Sequence, residues 1–484
     1  MFDKLAHNSY ILCKERVSQF PNSVQIENYN FQYGNAEEIA IAQKDNKKII
    51  IFGNFVDSHD TNLTKDDIAS ALLQTANLEK LLEKSKSIAG FFIIISSSEE
   101  GLFVIPDATA MIQAAYKISG SGLYVSSNPV IIADLLNLKE SPRSKKIKSA
   151  AAQTHPLPYD LTMYDEIKCV IPNNYLDCKQ RVPKRYYPLY RQECISVEEA
   201  VNKSCRLLKN IAAACHRKYK LSIPLTSGID SRTVLAVCRE FVDDIPLYTF
   251  AHKHFKESTP DLFVPKSISE KLNLNYHVFK TLELPNEILE LYKNKFGGSR
   301  NDLQAANAWT LRQSDLTDRF YLGGTITELA KSAFGKNLPE ALARPSYLVT
   351  KTHNYSQENK REVKRWIKDI KPFSDSSAIS KFDLFYWEHR IGKWATNSQL
   401  NSSQLVKSLN LFNCRELIEM WLRVPRKERM DYQLHMGIIK TNWPELLDFP
   451  INPGSDYISK FFTSNSILFF VGSYIKYILH RNKF

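Results

Sequence analysis

The sequence lacks the features that mark membrane-spanning, exported or disulfide-rich proteins. No stretch of its 484 residues reaches the roughly 20 apolar residues that a membrane-spanning helix requires. The opening segment, MFDKLAHNSY, contains no apolar signal core, and the eight cysteines include no C-x-x-C pair. We therefore expect a cytoplasmic protein whose cysteines are reduced and act as small apolar residues.

Negative charge is scarce relative to positive charge. The chain has 52 Asp and Glu against 64 Lys and Arg, which leaves a net charge of +12 and a pI near 9.1. This excess favours an anionic partner, such as a nucleotide, an acidic sugar, a nucleic acid or a membrane surface, and selects none of them. Hydrophobic residues make up 43% of the chain and charged residues 24%, which excludes a mainly disordered protein. The length predicts two or three domains.

Residues 1–138 predict a β-rich domain. The run FFIIISSSEEGLFVIPD predicts a hairpin with its turn at Ser96–Gly101. A second hairpin is predicted in AAYKISGSGLYVSSN, where Gly120 and Gly122 permit the turn. The leucines of IASALLQTANLEKLLEKSKS recur at helical spacing and predict one helix within this region.

Residues 139–195 predict a linker followed by a connecting hairpin. The stretch 139–158 is rich in basic and small residues and holds three prolines, as is typical of a linker. The next passage, IKCVIPNNYLDCKQRVPKRYYP, has turn residues at Pro172–Asn174. We interpret it as an arm that packs between the domains.

From Ser196 to about residue 455, strands and helices alternate. Ser196 begins a predicted helix that reaches Tyr219, and Leu221–Leu225 predicts the first strand. Further strands are predicted in PLYTFAHK and YHVFK, and further helices at Arg232–Phe241 and in VPKSISEKLNL. Such alternation predicts a parallel sheet with helices on both faces, followed by a mainly helical C-terminal part.

The turn after the first of these strands carries the strongest chemical signal. Its residues are Thr226, Ser227, Gly228, Ile229, Asp230, Ser231 and Arg232. Backbone N–H groups at a strand-to-helix turn favour anions, and Gly228 permits the close approach of a phosphate. Asp230 suits the Mg²⁺ that accompanies a phosphate, and the alternative is an ordinary turn in which Asp230 only caps the helix. A Walker P-loop is excluded because no lysine stands where that motif demands it.

The turn resembles the pyrophosphate-binding loop of N-type ATP pyrophosphatases, S-G-G-x-D-S, with Ser227 in the place of the first glycine. A second segment, FYLGGTITELAKSAFG, is similar to the L-S-G-E-G-x-D-E-L segment of the asparagine synthetase family when Leu322–Ala330 is aligned without gaps. Gly324 keeps the glycine of that segment, and Glu328 occupies the position of its second magnesium-binding aspartate. Thr325 replaces the acidic residue of the family.

The first domain resembles the same family. GFFIII, LFVIPDAT and LYVSS are similar to strands of the glutaminase-like half of asparagine synthetases. The chain thus resembles a divergent member of the family, which includes β-lactam synthetases and lasso-peptide cyclases. The resemblance implies a β-rich plus α/β fold, with an Ntn-hydrolase-like αββα domain over 1–138. A PP-loop ATP pyrophosphatase domain with a parallel, HUP-like sheet and a helical C-terminal part is implied over 196–455.

The resemblance also implies a reaction, the ATP-dependent adenylation of a carboxylate and its transfer to ammonia or an amine. ATP and Mg²⁺ are the implied cofactors, and Asp230 and Glu328 the implied metal ligands and catalytic residues. Thr249, Phe250 and Gly324 are further implied contacts of ATP. The acceptor is left open among aspartate, a uronate of a surface polysaccharide and a peptide carboxylate. Two other functions stay open: a nucleotide-binding homologue with a decayed site, and a thiolase acting on nucleic acid, which is not the expected partner.

The sequence departs from the family at several catalytic positions. Glutamine-dependent members carry a cysteine after the initiator methionine, whereas this chain has Phe2, which has no nucleophilic atom. Cys13 lies in an apolar run and is not expected to replace that cysteine. Thr325 cannot act as a base near neutral pH. The role still implied for it is a contact with the substrate. Lys440 is a candidate for the family's phosphate-contacting lysine, against the alternative of a solvated helix residue.

Arg390 interrupts an apolar face that Trp387, Ile391 and Trp394 form at helical spacing. A buried guanidinium needs an anion, so Arg390 is expected to bind either a substrate carboxylate or Glu388.

Two remaining features carry weaker expectations. His252 and His254 lack a third ligand in view and are not expected to bind a metal. Residues 456–484 hold eight aromatics and a basic end, and this tail is expected either to lie on an anionic membrane surface or to pack against the body. The oligomeric state is not indicated.

Overall fold

The computed structural model describes residues 7–453, apart from 36–37, 121, 143, 145–156, 189–191, 295–300, 336–337, 353–355 and 378, together with residues 471, 472, 475 and 478. Two antiparallel sheets and one parallel sheet make this a mixed β-rich and α/β fold. Within this part of the chain, no helix is both long and apolar enough to cross a membrane. Nearly all of the tail 456–484 lies outside the described residues.

The N-terminal half is built from two antiparallel sheets that pack face to face. Its strands are β1 (Tyr10–Cys13), β2 (Asn22–Ile26), β3 (Tyr29–Tyr33), β4 (Ile39–Lys44), β5 (Lys47–Asp57), β6 (Ile88–Ser98), β7 (Gly101–Pro106), β8 (Ala115–Ser119), β9 (Gly122–Ser126), β10 (Lys168–Cys169), β11 (Asn174–Asp177) and β12 (Val182–Arg185). One six-stranded sheet has the order β10-β8-β9-β1-β3-β2, and the other has the order β12-β11-β7-β6-β5-β4. The rings of Tyr10 and Phe52, one from each sheet, meet edge to face at 6.1 Å.

Helices cover the outer faces of both sheets. They are α1 (Lys65–Leu73), α2 (Leu78–Lys84) and α3 (Pro129–Leu135), with a short 3₁₀ helix at Ser85–Ser87. Ile68 and Leu72 of α1 pack in one buried cluster with Ile94 of β6, while Ile132 of α3 packs with Ile11 of β1. Strands buried on both faces need apolar residues at successive positions, which explains runs such as FFIII. This layering agrees in general with the expected αββα domain.

The two hairpins predicted in this half are confirmed, since β6 pairs with β7 and β8 pairs with β9. The single helix predicted over residues 68–87 is wrong, because the chain forms α1 and α2 with a break between them. The break arises at Asn77, whose side chain accepts a hydrogen bond from the Lys80 N–H over 2.9 Å and so begins a new helix.

The hairpin predicted around Pro172–Asn174 is misplaced. β10, just before it, joins the first sheet, whereas β11 and β12, just after it, pair with each other in the second sheet. The turn of that hairpin lies at residues 178–181, and residues 170–173 cross from one sheet to the other. Asn173 of this crossing still reaches the C-terminal half, where its amide donates to the Glu388 carboxylate over 2.9 Å.

A parallel sheet forms the centre of the C-terminal half, as the alternation of strands and helices predicts. Its strands are β13 (Leu221–Pro224), β14 (Leu247–Ala251), β15 (Tyr276–Lys280), β16 (Phe320–Leu322) and β17 (Lys407–Leu409). They lie in the order β15-β14-β13-β16-β17, and each neighbouring pair is parallel. The strand order therefore reverses at β13, and sheets of this kind bind ligands outside the carboxyl ends of the strands at the reversal.

Helices surround this sheet and form the C-terminal part. They are α4 (Val197–Lys218), α5 (Ile229–Val237), α6 (Pro260–Leu272), α7 (Asn286–Asn294), α8 (Asp302–Arg312), α9 (Pro345–Leu348), α10 (Gln357–Ser377), α11 (Lys381–Phe385), α12 (Thr396–Ser402), α13 (Arg415–Leu422), α14 (Arg426–Met430) and α15 (Gln433–Asn442). Shorter 3₁₀ helices lie at Arg239–Asp244, Thr325–Lys331, Glu340–Leu342, Val349–Thr352 and Pro444–Asp448, and a π-helix spans Tyr386–Ala395. α4 begins as predicted, with the Ser196 hydroxyl accepting from the Glu199 N–H over 3.1 Å.

The two halves share one hydrophobic core, which includes buried residues from both sheets, from β13 and from the C-terminal helices. Buried polar contacts reinforce it. Trp387 Nε1 donates to the Ala108 carbonyl over 2.8 Å, and Asn413 Nδ2 donates to Asp107 Oδ1 over 2.8 Å. The boundaries expected near residues 138 and 195 stay predictions.

Candidate active site

The predicted anion-binding turn lies between β13 and α5, at the strand where the sheet order reverses. Hydrogen bonds within the turn fix its conformation: the Thr226 N–H donates to Ser231 Oγ over 3.1 Å, and the Gly228 N–H donates to Thr226 Oγ1 over 3.2 Å. α5 begins at Ile229, with Gly228 as its N-cap. The partial positive charge at the start of α5 therefore lies at this turn.

A carboxylate of the chain itself occupies part of the turn. Asp261 Oδ1 accepts hydrogen bonds from the Ser227 N–H over 2.9 Å and from the Ser227 hydroxyl over 2.7 Å. Asp261 belongs to the first turn of α6. The turn thus offers donors that already hold an anionic group, and a phosphate has to share these donors with Asp261.

The second segment singled out in the sequence meets this turn directly. β16 pairs with β13, which places the 3₁₀ helix Thr325–Lys331 next to α5. A Cβ atom at Gly324 would lie 3.1 Å from the Cβ of Asp230, which is a tight contact. A glycine at this position therefore relieves the close approach of the two segments.

Asp230 is surrounded by groups that stabilise its charged form. Its carboxylate forms an ion pair with Lys331 and accepts a hydrogen bond from the Thr327 hydroxyl. His435 Nε2 lies 3.4 Å from Asp230 Oδ1, an electrostatic contact, and neither ring nitrogen of this buried histidine has a hydrogen-bond partner among the described residues. Burial raises the pKa of Asp230, but His435 and Lys331 outweigh it and hold the pKa well below its usual value.

Glu328 has the opposite electrostatic environment. Its carboxylate accepts a hydrogen bond from the Tyr386 hydroxyl. Burial, together with the nearby charge of Asp230, raises the pKa of Glu328 against the lowering effects of Lys331 and Arg390. The site therefore pairs a carboxylate that stays charged with one that takes up a proton more readily, a combination typical of acid–base sites.

The π-helix Tyr386–Ala395 presents several side chains to this site from one face. Hydrogen bonds in a π-helix run from residue i to residue i+5, so residues four to five apart share a face. Tyr386 contacts Glu328, and the Arg390 guanidinium stacks on the Trp394 ring at 3.6 Å from the ring centroid. The described residues offer the Arg390 guanidinium no hydrogen-bonded or ion-paired partner.

Glu388 is not the partner of Arg390, so that expectation is wrong. The buried Glu388 carboxylate instead accepts from Arg185 Nη1 over 2.6 Å and from Trp366 Nε1 over 2.7 Å. Arg185 lies in β12, 203 residues upstream, and no local spacing could reveal such a pair. The charge that Arg390 interacts with is that of Glu328, and its contact with a substrate carboxylate stays a prediction.

A cleft of about 250 Å³ opens beside this face, between the two halves of the chain. Phe91 and Met111 of the N-terminal half form part of its wall. The rest of the wall combines aliphatic residues, such as Leu311 and Val406, with aromatic, amide and hydroxyl side chains, including Tyr248, Phe250, Asn307, Trp394, Ser398 and Asn410. None of the described residues that line the cleft carries a formal charge, so the cleft suits an uncharged and partly polar group.

The predicted contacts of ATP and substrate are placed as follows. Phe250 lines the cleft, and Thr325 lies exposed at its wall. The Thr249 hydroxyl donates to the Leu225 carbonyl over 2.6 Å and is thus engaged within the sheet. Contact of Thr249 with adenine stays a prediction.

Arg232 is fully buried and has a different set of partners from the one expected. Its guanidinium donates to the backbone carbonyls of Ser227, Leu446, Phe449 and Pro450. These bonds hold the segment after α15 against the turn. Contact of Arg232 with pyrophosphate stays a prediction, and the observed bonds give the residue a positioning role.

Lys331, not Lys440, is the lysine that lies beside Asp230. Lys440 is exposed on α15, the helix whose His435 reaches the Asp230 carboxylate. Lys331 ends the 3₁₀ helix that also contains Glu328. Residues three apart in a 3₁₀ helix lie on the same face, so Glu328 and Lys331 share a face. Their spacing in FYLGGTITELAKSAFG could have indicated Lys331 as a residue of the site.

Sequence reasoning missed further side chains of the site. Thr327 and Lys331 stood within the quoted segment, whereas Asp261, Tyr386 and His435 come from other elements. No spacing in the sequence links these last three to Asp230 or Glu328.

The carboxylates of Asp230 and Glu328 are the candidate ligands of Mg²⁺ at this site. Among the described residues, no group of three or more His, Cys, Asp and Glu side chains forms a metal site of its own. Mg²⁺ at phosphate sites is usually held by one or two carboxylates plus substrate phosphates. Asp230 and Glu328 therefore fit Mg²⁺ that arrives with a nucleotide, although Lys331 already neutralises Asp230.

Cys13, the candidate nucleophile for glutamine hydrolysis, and Cys238, the candidate thiol of a thiolase, are both buried. Burial raises the pKa of Cys13, in β1, to about 12, and raises that of Cys238 well above its usual value. A thiol whose pKa is raised stays protonated and is a poor nucleophile, as expected for Cys13. Phe2, which carries the expected loss of glutamine chemistry, lies outside the described residues.

Comparison with known proteins gives distant structural likenesses only. No profile of a known protein family and no curated protein matches the chain. The chain is similar to an NH3-dependent NAD synthetase from Campylobacter jejuni, with a TM-score of 0.20 and 14% identity over 29% of this chain and 61% of the other. It is also similar to a glutamine phosphoribosylpyrophosphate amidotransferase from B. subtilis, with a TM-score of 0.22 and 9% identity over 54% and 56% of the two chains. A third similar structure, the allosteric regulatory enzyme of purine biosynthesis, has a TM-score of 0.25 and 10% identity over 54% and 64%.

The chain spans less than two thirds of the length of each of these structures. Likeness at this level supports no conclusion about function. Any functional proposal therefore has to rest on the geometry of the site.

Proposed function

We propose that the chain is an ATP-dependent ligase that adenylates a carboxylate and transfers it to ammonia or an amine, with release of AMP and pyrophosphate. One observation carries the proposal. The anion-holding turn after β13 and the helix Thr325–Lys331 meet at Gly324 and Asp230, two of the positions at which their motifs resemble those of asparagine synthetases.

Fixed positive groups around the turn support the release of pyrophosphate. Backbone N–H groups and the N-terminus of α5 attract an anion, and Lys331 adds an ammonium group beside Asp230. These groups are in place before the reaction, which lowers the cost of building up charge in the transition state. Mg²⁺ bound with ATP is proposed to be held by Asp230 and Glu328, where it neutralises phosphate charge.

The carboxylate substrate is proposed to lie along the cleft, with Arg390 at the rim. The guanidinium lies over the Trp394 ring, 3.6 Å from its centroid, and this cation–π contact holds it beside the cleft wall. The uncharged cleft wall excludes water from the adenylated intermediate, which protects it from hydrolysis. Aspartate, a sugar uronate and a peptide carboxylate are the candidate acceptors.

The attacking amine has to lose a proton, and Glu328 is the proposed acceptor of that proton. Its raised pKa brings the carboxylate closer to the range in which a base works near neutral pH. The Tyr386 hydroxyl orients the carboxylate through its hydrogen bond. A carboxylate bound to a metal ion is a poor base, so the two proposed roles of Glu328 are distinguished by the pH profile of the reaction.

A second candidate function is nucleotide binding without turnover. The favouring observation is that the chain already satisfies its own charges: Asp261 occupies the donors of Ser227, and Lys331 neutralises Asp230. A thiolase is disfavoured, because the burial of Cys238 leaves no reactive thiol after the turn.

An assay of pyrophosphate release with ATP, Mg²⁺ and a panel of carboxylates, with and without ammonium, tests the proposal. The ligase predicts pyrophosphate and AMP in equal amounts, in the presence of one class of carboxylate. ATP binding without pyrophosphate, across aspartate, uronates and peptides, would instead establish the second candidate. Lys266→Met serves as a control, because this lysine is exposed on α6.

A further inference from the structure

Cys169 and Lys393 form a buried contact that the proposed reaction does not use. Lys393 Nζ lies 2.8 Å from Cys169 Sγ and 2.8 Å from the Leu161 carbonyl oxygen. Only 3% of Lys393 and 4% of Cys169 is exposed. The contact joins β10 of the N-terminal half to the π-helix that carries Arg390 and Trp394.

This contact is close for a hydrogen bond to sulfur. Elsewhere in the chain, Gln32 Nε2 lies 3.5 Å from Cys13 Sγ, and Asn442 Nδ2 lies 3.2 Å from Cys205 Sγ. The described residues also give Lys393 no carboxylate partner, although a buried ammonium group without a counter-charge is unfavourable. The nitrogen is therefore positioned next to the sulfur without being held there by an ion pair.

We infer that Cys169 and Lys393 are a site of oxidative modification, at which a peroxide links Cys169 Sγ to Lys393 Nζ covalently. The thiol is first oxidised to a sulfenic acid: an S–O bond forms, the O–O bond of the peroxide breaks, and water leaves. The lone pair of Lys393 Nζ then attacks the sulfur, so that an S–N bond forms and the S–O bond breaks. The departing hydroxyl takes one amine hydrogen and leaves as a second water. Sulfur gives up two electrons and the peroxide accepts them.

The position of the pair makes this link specific. Among the described cysteines, no other sulfur has a lysine Nζ within hydrogen-bonding distance. The two residues are 224 positions apart in the chain, so the link closes a long loop. A link of this kind restricts the unfolded chain and stabilises the folded one.

Peptide mapping tests the assignment on the intact wild-type chain. The protein is treated with hydrogen peroxide, alkylated and digested with trypsin without reduction. We expect a cross-linked peptide pair containing Cys169 and Lys393, lighter by two hydrogens than the sum of its parts, which a thiol reductant separates. A link that retains one oxygen atom has S–O and O–N bonds in place of the S–N bond, and it overturns the proposed reaction. A Cys169 that stays alkylatable, or that carries only sulfinic acid, overturns it.

Variants and melting curves give an independent check. Cys169→Ser and Lys393→Met should each abolish the cross-link, whereas Cys13→Ser, which removes a buried thiol that contacts no lysine, should leave it intact. The oxidised wild type should melt at a higher temperature than the reduced protein, and the reductant should reverse the increase. A cross-link that persists in Lys393→Met rules out this pair, and the wild-type peptide map decides the question if that variant does not fold.

Discussion

Lys331 and Asp230 form an ion pair across 101 residues of sequence, at the point where the anion-holding turn meets the helix Thr325–Lys331. The carboxylate in the turn is thereby neutralised by the chain before a nucleotide binds. The lowered pKa of Asp230 keeps this carboxylate charged throughout the neutral range. A phosphate that arrives at the turn therefore meets an ammonium group that already has a partner.

Asp230→Asn is expected to remove pyrophosphate release and leave the fold intact. The amide has the same size as the carboxylate and loses only its charge, in a partly exposed turn. Loss of a metal-binding carboxylate at a phosphate site removes on the order of several kcal/mol of transition-state stabilisation. The initial rate and the circular dichroism spectrum are measured on the same sample. Full activity in a well-folded variant refutes the assignment of the turn.

Glu328→Gln is expected to lower the rate of amide formation by about 100- to 10,000-fold, the usual contribution of a general base. Because the pKa of Glu328 is raised, the wild-type rate should climb with pH as this carboxyl loses its proton, and the variant should lack that rise. Rates across the pH range at saturating ATP test this. Equal rates with a stability loss of about 0.3–1 kcal/mol indicate a helix-start charge instead and leave Asp230 as the metal ligand.

Tyr386→Phe separates the two proposed roles of Glu328. The lost hydroxyl stabilises the charged carboxylate, so its removal raises the pKa of Glu328 further. The rise of the rate should therefore move to higher pH, with little change in the plateau. A changed Mg²⁺ requirement at an unchanged pH profile points to metal binding by Glu328.

Lys331→Met is expected to weaken ATP binding by about tenfold or more, which corresponds to about 1.4 kcal/mol. The substitution removes the ammonium group beside the turn and leaves Asp230 to repel the phosphates. Calorimetric titration of ATP gives the Kd, and Lys266→Met, an exposed lysine of α6, serves as the matched control. Unaltered affinity in Lys331→Met contradicts a role for this lysine in phosphate binding.

Free ammonium or an amine, and not glutamine, should support the reaction, because Phe2 stands where the glutamine-dependent enzymes that the chain resembles carry a nucleophilic cysteine. Glutamate and amide product are quantified with each nitrogen source. Glutamate release at the rate of product formation, by the chain alone, would falsify this prediction.

Arg185→Met is expected to destabilise the fold by about 3–5 kcal/mol, since it leaves the buried Glu388 carboxylate without its counter-charge. Adding Glu388→Gln should recover part of the loss, because the amide oxygen still accepts from Trp366. Urea denaturation measures both variants. Lys371→Met, which breaks the exposed pair with Asp375, should cost at most about 1 kcal/mol.

The parallel sheet was predictable because local pattern and tertiary packing agree. β15 coincides with the predicted strand YHVFK, and α4 starts after Ser196 as its capping signature indicates. The meeting of the turn with the segment after β16 was also predictable, since both follow strands of one sheet. The leucine spacing predicted one continuous helix through Asn77. The Asn77 side chain instead caps the start of a second helix, so the prediction failed there.

The remainder of the site depends on packing between distant elements. Tyr386 lies 58 residues from Glu328, and His435 reaches Asp230 from a helix near the end of the described chain. The π-helix adds a further difficulty, because its wider turn changes which residues share a face. The contact of Arg390 with Trp394, four residues apart, still agrees with the helical spacing of the sequence, whereas the contact of Tyr386 with Glu328 has no such signal.

The shared core has a consequence for dividing this protein into fragments. Trp387 and Asn413 are anchored in the N-terminal half, through Ala108 and Asp107, and neither finds these partners in a truncated product. Each half expressed by itself would expose a large apolar surface to water and would aggregate or bind chaperones. The N-terminal half is therefore needed for the folding of the C-terminal half, whatever chemistry it performs itself.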